Sequence, residues 1–163
     1  MKLSQQIGRE VRLPTEAEWE YACRAETTTP FAFGKTITTD QVNYSGKDTW
    51  DGEIKGKYRE VTVDVNSFQP NPWVIYQMHG NVWEWCLDEW HDSYADKPEN
   101  LKKQGNQAWG YLNVDNNDNR SYLLRGGFWD CTAIDCCSAD RYGDNAGDWG
   151  NVIGFRVVVS VLS

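Results

Sequence analysis

The sequence predicts a single α+β domain with few helices, short strands and long loops. Its 163 residues fit one domain of ordinary size. Nine Trp, eight Tyr and five Phe accompany a mean hydropathy of -0.68. Large rings, rather than aliphatic runs, therefore supply the apolar volume of the core. Fourteen Gly favour turns over long helices. We expect residues 1–163 to form one loop-rich unit.

The charge of the chain excludes several classes of partner. Its formal net charge is -8 and its pI is about 4.7, so the chain lacks the basic patches that bind nucleic acid. The same charge disfavours an anionic membrane surface. Residues 1–13 lack the apolar core of a secretory signal, and no apolar run reaches the length of a membrane span. We therefore expect a cytoplasmic protein.

The first element with a strong signal is a helix that begins after Thr15. Glu18 stands three residues further on and completes a capping box. Trp19, Ala22 and Cys23 share one helical face and should pack inward. The helix should end before the polar run 27–30.

The remaining elements are short. Alternating or β-branched residues predict strands within 61–65, 73–76, 82–86, 122–127 and 153–159. Residues 88–119 are polar and irregular, so we expect a surface loop there. A second long polar loop is expected over 128–152.

The cysteines and histidines do not form a zinc pattern. Five Cys include no CxxC pair, and neither His79 nor His91 is spaced with them as a ligand. We expect buried thiols in a reducing compartment. Trp19, Trp83, Trp85 and Trp129 are expected in the core.

Three blocks of sequence together resemble one protein family. They are RLPTEAEWEYA at 12–22, MHGNVWEW at 78–85, and LRGGFW at 124–129 together with IGFR at 153–156. Their order and spacing resemble the formylglycine-generating enzymes, or sulfatase-modifying factors. The resemblance implies a C-type-lectin-like fold with a small twisted antiparallel sheet.

The same resemblance implies a calcium site in the second block. Its ligands would be the carbonyls of Gly80 and Val82, the carboxylate of Glu84 and the side chain of Gln77. Gln77 is neutral where the family more often has Asp or Asn. The alternative is that Glu84 is a buried carboxylate bonded within the protein.

A second group with this fold is the variable proteins of diversity-generating retroelements. Their hypervariable segment lies between an RGG[S]W block and an IGFR block and arises from NNC codons, which never encode Lys, Glu, Gln, Met or Trp. Residues 127–163 contain no Lys, Glu, Gln or Met, whereas 27 of the first 126 residues are of these types. Roughly 8 would be expected by composition. Trp129 belongs to the fixed block, and Trp149 could arise from an AGG codon.

The leading hypothesis is therefore a ligand-binding variable protein with a hypervariable surface at 128–152. Phe128, Tyr142 and Trp149 would be its aromatic anchors. The carboxylates of the segment favour a basic protein or another basic macromolecular ligand. Substitutions across 128–152 should leave stability nearly unchanged. The candidate ligand-binding residues are Phe128, Asp130, Cys131, Thr132, Ile134, Asp135, Asp140, Tyr142, Asp144, Asn145, Asp148, Trp149 and Asn151.

The alternative hypothesis is a copper-dependent formylglycine-generating oxidase that acts on a sulfatase cysteine. In that family two cysteines bind Cu(I), and Cys131 and Cys136 match their positions, two and seven residues after Trp129. Phe128, however, replaces the family's serine near the reacting oxygen. A third hypothesis is a family scaffold without catalysis.

The N-terminal part is short for this family. Eleven residues precede Arg12, and residues 3–7 look like the end of a family helix. A missing strand would leave a sheet edge open, and open edges favour pairing. We therefore expect compensation within the fold or a homo-oligomer.

Overall fold

The fold was examined in a computed structural model, which describes residues 2–47, 55–103, 107–110 and 120–160. The helices are α1 (Lys2–Ile7), α2 (Glu16–Arg24) and α3 (Glu99–Lys102), with single 3-10 turns at Tyr94–Asp96 and Ile134–Cys136. The strands are β1 (Val11–Arg12), β2 (Trp83–Glu89), β3 (Ser121–Arg125), β4 (Tyr142–Asn145), β5 (Ile153–Gly154) and β6 (Val158–Val159). The predicted α+β class is confirmed.

Helix α2 begins as the sequence predicts. The Thr15 hydroxyl accepts from the Glu18 backbone N–H, and the Glu18 carboxylate accepts from the Thr15 backbone N–H at 2.9 Å. Arg12 also binds both oxygens of Glu18. Ala25 ends the helix in the left-handed conformation, before residues 27–30 as expected. Trp19 and Cys23 are buried on the inner face.

Four strands form the main sheet in the order β4-β3-β2-β5. Strand β3 is antiparallel to both β2 and β4, with Trp85 opposite Leu124 and Leu123 opposite Gly143. Strand β5 runs parallel to β2. The expected antiparallel sheet is therefore mixed at one edge. Strands β1 and β6 form a separate antiparallel pair.

The buried apolar residues form two clusters. The first packs α2 against the main sheet and contains Trp19, Cys23, Met78, Cys86 and Leu123. The second contains Phe31, Ile37, Val42, Tyr44, Cys131, Ala133 and Cys136. Aromatic rings contribute to both, in agreement with the composition. All five cysteines are free thiols.

Two predicted strands are absent because side chains occupy their backbone groups. Residues 61–65 form no ladder, since the Asn81 amide accepts from the Val63 N–H at 2.9 Å and donates to its carbonyl. Residues 73–76 are a turn. The Asn71 side-chain oxygen accepts from the backbone N–H groups of Trp73 and Ile75, and Val74 has a φ of 62°.

Three other predictions need correction. The expected loop 128–152 contains strand β4, which pairs with β3 over its whole length. The expected closing strand 153–159 is divided into β5 and β6 at Arg156, whose side chain turns to Glu84. The expected surface loop 88–119 contains the end of β2 and the short α3. Its residues 104–106 and 111–119 lie outside the described residues.

Candidate functional site

An open cavity of about 480 Å³ lies where the chain leaves β3 and returns through β4. Its lining combines residues of the segment that follows β3 with residues of β2, β4 and β5 and the residue before β5. Ten side chains line it: Trp83, Phe128, Asp130, Cys131, Thr132, Asp135, Tyr142, Asp144, Val152 and Ile153. The cavity size is within the roughly 300–1,000 Å³ that is usual for ligand pockets.

Two glycines turn the chain from β3 into the cavity. Gly126 and Gly127 have φ values of 101° and 76°, a region that side chains with a Cβ rarely adopt. The Gly126 carbonyl accepts from the Gly80 N–H at 2.6 Å. The next residues are anchored to the same loop, since the Trp129 N–H donates to the Asn81 carbonyl. The GG pair therefore fixes the entry to the cavity.

Three aromatic rings form the apolar wall. The Tyr142 ring stacks on Trp83, with ring centroids 5.5 Å apart and planes inclined by 20°. The Phe128 ring is also near Trp83, with ring centroids 6.4 Å apart. The stacking of Tyr142 on Trp83 joins a residue of β4 to one of β2, so the wall depends on the sheet itself. It gives the cavity an apolar aromatic lining.

Three carboxylates line the same cavity. Asp135 is held by the backbone N–H and the hydroxyl of Thr132, at 2.8 Å and 2.6 Å. Asp130 accepts from the Tyr58 hydroxyl, and this hydrogen bond raises the pKa of Tyr58 to about 12. Burial, followed by its hydrogen bond with Asp148, raises the pKa of Asp144. The cavity is therefore acidic as well as aromatic.

A pair of thiols joins the cavity to the core, since Cys131 lines the cavity and Cys136 is buried in the second cluster. The sulfur atoms of Cys131 and Cys136 are 3.4 Å apart. The Cys131 sulfur also accepts from the Phe128 backbone N–H at 3.2 Å. Cys136 is fully buried, and this burial, with the neighbouring Cys131, raises its pKa well above the usual thiol value. The sequence spacing that suggested a thiol pair thus corresponds to contact in space.

The cavity brings together seven of the thirteen candidate ligand-binding residues: Phe128, Asp130, Cys131, Thr132, Asp135, Tyr142 and Asp144. The other six lie outside it: Ile134, Asp140, Asn145, Asp148, Trp149 and Asn151. Trp149 follows β4 in the chain and is 91% exposed. Asp140 is half-buried, and burial raises its pKa to about 6.

Sequence reasoning missed four contributors to this site. Trp83 was expected only in the core, yet it is both buried and part of the aromatic wall. Val152 and Ile153 line the cavity because β5 pairs with β2. Tyr58 reaches Asp130 from a loop 72 positions away in sequence. No local pattern marks such a contact, since it depends on the tertiary fold.

The expectation that 128–152 forms one exposed face is correct only for part of the segment. Ala133 and Ser138 are buried with the two thiols, and the Cys131 side chain is only 8% exposed. Tyr142 and the residues from Asn145 to Asn151 are exposed. Tolerance of substitution should therefore be confined to the exposed positions, because removing buried groups creates cavities.

The residues around Glu84 do not fit the calcium site that the resemblance implies. Arg156 donates to both carboxylate oxygens of Glu84, and the Trp19 indole N–H donates to Oε2 at 2.7 Å. The Gln77 amide donates to the Asp64 carbonyl, and the Gly80 carbonyl accepts from the Val82 N–H. A guanidinium at the carboxylate competes with a cation. The arrangement matches the alternative of a carboxylate bonded within the protein.

Within the described part of the chain, no three His, Cys, Asp or Glu side chains are grouped to hold a metal ion. None of the described helices has the length and apolar character needed to cross a membrane.

The fold and the thiol-containing cavity define a class of protein. The model of the sulfatase-modifying factor enzyme 1-like domain matches residues 1–161, and the chain belongs to that family. Its fold is C-type-lectin-like. This confirms the resemblance that the three sequence blocks carry.

Two solved structures are similar over most of the chain. PvdO from Pseudomonas aeruginosa has a TM-score of 0.78 and 33% identity, over 98% of this chain and 56% of its own. Treponema denticola variable protein 1 has a TM-score of 0.63 and 26% identity, over 91% of this chain and 47% of its own. The fold is thus shared with a protein that is described as variable.

Curated relatives are much longer than this chain. The serine/threonine-protein kinase pkn1 of Chlamydia caviae is 33% identical over 152 residues, which are 92% of this chain and 21% of the relative. The formylglycine-generating enzyme of Thermomonospora curvata is 37% identical over 92 residues, 48% of this chain and 27% of the enzyme. The chain therefore spans about a fifth to a quarter of these relatives.

Proposed function

We propose that this chain is a ligand-binding domain whose 128–152 segment is the variable surface of a diversity-generating retroelement variable protein. The observation that carries the proposal is the composition of this segment together with its position at the cavity. Residues 127–163 contain no Lys, Glu, Gln or Met, and they belong to a longer stretch without these types that begins at Ala108. The same part supplies most of the cavity lining and an exposed Trp149.

The segment divides into framework and surface positions, as a diversified binding site requires. Cys136 and Ala133 are buried in the core cluster with Phe31 and Tyr44. Tyr142, Asn145 and the residues up to Asn151 project from β4 and the following turn. A framework that is anchored in the core can hold variable side chains without losing its own packing. This division supports a binding role that needs no chemistry.

Rigid aromatic side chains would supply most of the binding energy. Tyr142 is stacked on Trp83 and therefore loses little conformational entropy when a ligand packs on it. Trp149 presents nearly its whole indole to solvent. Aromatic residues of this kind dominate the energetics of protein interfaces. The structural similarity to a variable protein agrees with this role at the level of the fold.

Sequencing of the gene in one source population tests the proposal. The codons for 128–152 should differ between individuals in their first two bases and end in C, while the blocks at 124–127 and 153–156 stay constant. Variable codons should map to the exposed and cavity-lining positions rather than to Ala133 and Cys136. A segment that is identical in all individuals would contradict the retroelement assignment.

A second function is favoured by one observation, the contact between the Cys131 and Cys136 sulfur atoms. Two adjacent thiols suit a soft ion such as Cu(I), so these residues would hold the metal, which would supply the reactivity towards O2 when bound. Cys131 lines the cavity, where a substrate cysteine could approach. Phe128, which replaces the family's serine, occupies the same cavity.

Copper titration distinguishes this second function. Cu(I) should bind to the wild type with a stoichiometry of one, and Cys131→Ala and Cys136→Ala should each remove the binding. Cys137→Ala is the matched control, because Cys137 neighbours Cys136 but does not line the cavity. Conversion of a sulfatase-derived cysteine peptide to an aldehyde would then identify the oxidase. Absence of Cu(I) binding would exclude it.

A further inference from the structure

The cavity has one property that ligand binding in general does not require. No Lys or Arg is among its ten lining residues, while three of them are Asp. Asp130, Asp135 and Asp144 accept hydrogen bonds from a hydroxyl or from backbone N–H groups. Within the described residues none of the three forms an ion pair, so their negative charge is not balanced inside the protein.

The basic side chains nearby are directed elsewhere. Arg141 binds Glu16 through Nε at 2.6 Å and also donates to the His91 carbonyl. Arg125 is completely buried and bonds to Glu20. Lys47 lies over the Tyr58 ring, with its Nζ 3.7 Å from the ring centroid. None of these cations enters the cavity, and its acidic rim is left for a ligand.

The aromatic lining of the cavity suits the carbon part of a charged ligand. The rings of Trp83, Tyr142 and Phe128 line the cavity and pack on one another. An aromatic face attracts a cation through its quadrupole, most strongly for Trp. The same faces bury the methylene groups of an alkyl chain. Val152 and Ile153 extend this apolar lining.

We propose that the cavity binds an organic cation, an ammonium or guanidinium group on a short alkyl chain, between the Trp83–Tyr142 wall and the carboxylates of Asp130, Asp135 and Asp144. This inference rests on the proposed ligand-binding function and names the chemistry of the ligand. A carboxylate pairs well with either group, and guanidinium can engage it with two parallel hydrogen bonds. An anionic ligand would meet three like charges.

The same chemistry has two sources, a Lys or Arg side chain of a protein ligand and a free small amine. The exposed Trp149 beyond the cavity favours the side chain, because a protein surface would contact the indole as its cation enters. A free amine would fill the cavity without reaching that residue.

The experiment uses the full chain and small probes that differ only in charge. Nα-acetyl-lysine methylamide and Nα-acetyl-arginine methylamide carry the cation. Nα-acetyl-norleucine methylamide has a comparable alkyl chain without it, and 1,5-diaminopentane represents the free amine. Binding is followed by calorimetry and by two-dimensional NMR of the indole N–H signals. The cationic probes should bind at least about tenfold more tightly than norleucine.

Charge-neutralising variants locate the site. Asp130→Asn and Asp135→Asn should each lower the affinity for the cationic probes by about tenfold and leave the affinity for the norleucine probe unchanged. Asp130 is exposed, so its variant folds even if the Asp135 variant does not. Asp96→Asn is the control, since Asp96 is an exposed carboxylate of a 3-10 turn outside the cavity. Its probe affinities should equal those of the wild type.

Each outcome decides one question. Tighter binding of the lysine probe than of the diamine, or the reverse, supports the cation and identifies its source. Equal affinity for norleucine overturns the cation proposal while the cavity remains a ligand site. Absence of binding by every cationic probe at millimolar concentration also overturns it. The proposed function is judged separately by variation of the 128–152 codons, so the two failures are distinguishable.

Discussion

Arg156 donates hydrogen bonds to both carboxylate oxygens of Glu84, with an Nη2–Oε1 distance of 2.7 Å. The same Glu84 accepts from the Trp19 indole N–H, so one carboxylate joins α2, β2 and the segment between β5 and β6. Arg156 also donates to the carbonyls of Tyr76 and Gln77. This single residue of the IGFR block therefore fixes three separate parts of the chain around the sheet.

Replacement of Arg156 by Met should destabilise the fold by about 2–3 kcal/mol, because it leaves a buried carboxylate without its cation. The fall in the free energy of unfolding can be measured by urea denaturation. Lys57→Met is the matched control, since Lys57 forms an exposed ion pair with Asp40 and such pairs contribute little. Equal losses in the two variants would show that Glu84 does not depend on Arg156.

Removal of calcium should not affect the folded protein. Because Arg156 and Trp19 already satisfy Glu84, the midpoint of thermal unfolding should be the same in EDTA and in millimolar CaCl2. Magnesium chloride at the same ionic strength is the control for screening. A rise in the midpoint with calcium alone would restore the calcium site that the resemblance implies.

His79 should make the protein less stable in mild acid. Its Nε2 accepts from the Ala32 N–H and its ring is buried; burial lowers its pKa to about 4 from the usual 6.5. Between these values the unfolded chain binds more protons than the folded one, so stability falls as the pH falls. The contribution of His79 to this loss from pH 7 to pH 5 should be about 2 kcal/mol.

Protonation of Asp140 stabilises the folded protein as the pH falls, which opposes the effect of His79. A His79 variant is therefore needed to measure the contribution of His79 alone. The folded pKa of Asp140, about 6, exceeds the usual carboxyl value, and the folded state gains stability as Asp140 is protonated. His79→Gln retains a donor for the Cys136 carbonyl and an acceptor for the Ala32 N–H. Urea denaturation at pH 7 and pH 5 should show that the free energy of unfolding changes about 2 kcal/mol less favourably in the wild type than in this variant, because both proteins keep the contribution of Asp140. Equal changes in the two proteins would contradict the assignment to His79.

The sequence predicted well what local chemistry determines. The capping box at Thr15 and the buried Trp19 follow from residue type and spacing, and both are confirmed. The prediction of a strand at 61–65 was wrong. The side-chain amide of Asn81 bonds to the backbone N–H and carbonyl of Val63, which in a strand would pair with a neighbouring strand. The aromatic wall could not be foreseen, since Tyr142 meets Trp83 only after β4 pairs with β3.

Gly127 should not tolerate a side chain. A Cβ built there would lie 2.7 Å from the Cys136 sulfur and 3.1 Å from the Cys131 sulfur, at a φ of 76°. Gly127→Ala should therefore cost about 2–4 kcal/mol through overpacking and backbone strain. Gly150→Ala is the control, because a Cβ at Gly150 meets no atom within 4 Å. Equal unfolding midpoints for the two variants would contradict this account of the turn.

Trp149 should contribute to binding and not to stability. Its indole is 91% exposed, so Trp149→Ala should leave the unfolding midpoint within about 2 °C of the wild type. Affinity for a peptide selected by display against the wild type should fall by at least about tenfold, as for an aromatic anchor. Phe155→Ala is the matched control, since Phe155 is an exposed aromatic residue of the constant IGFR block. If both variants lose the peptide equally, or Trp149→Ala retains it, the binding surface does not extend beyond β4 to Trp149.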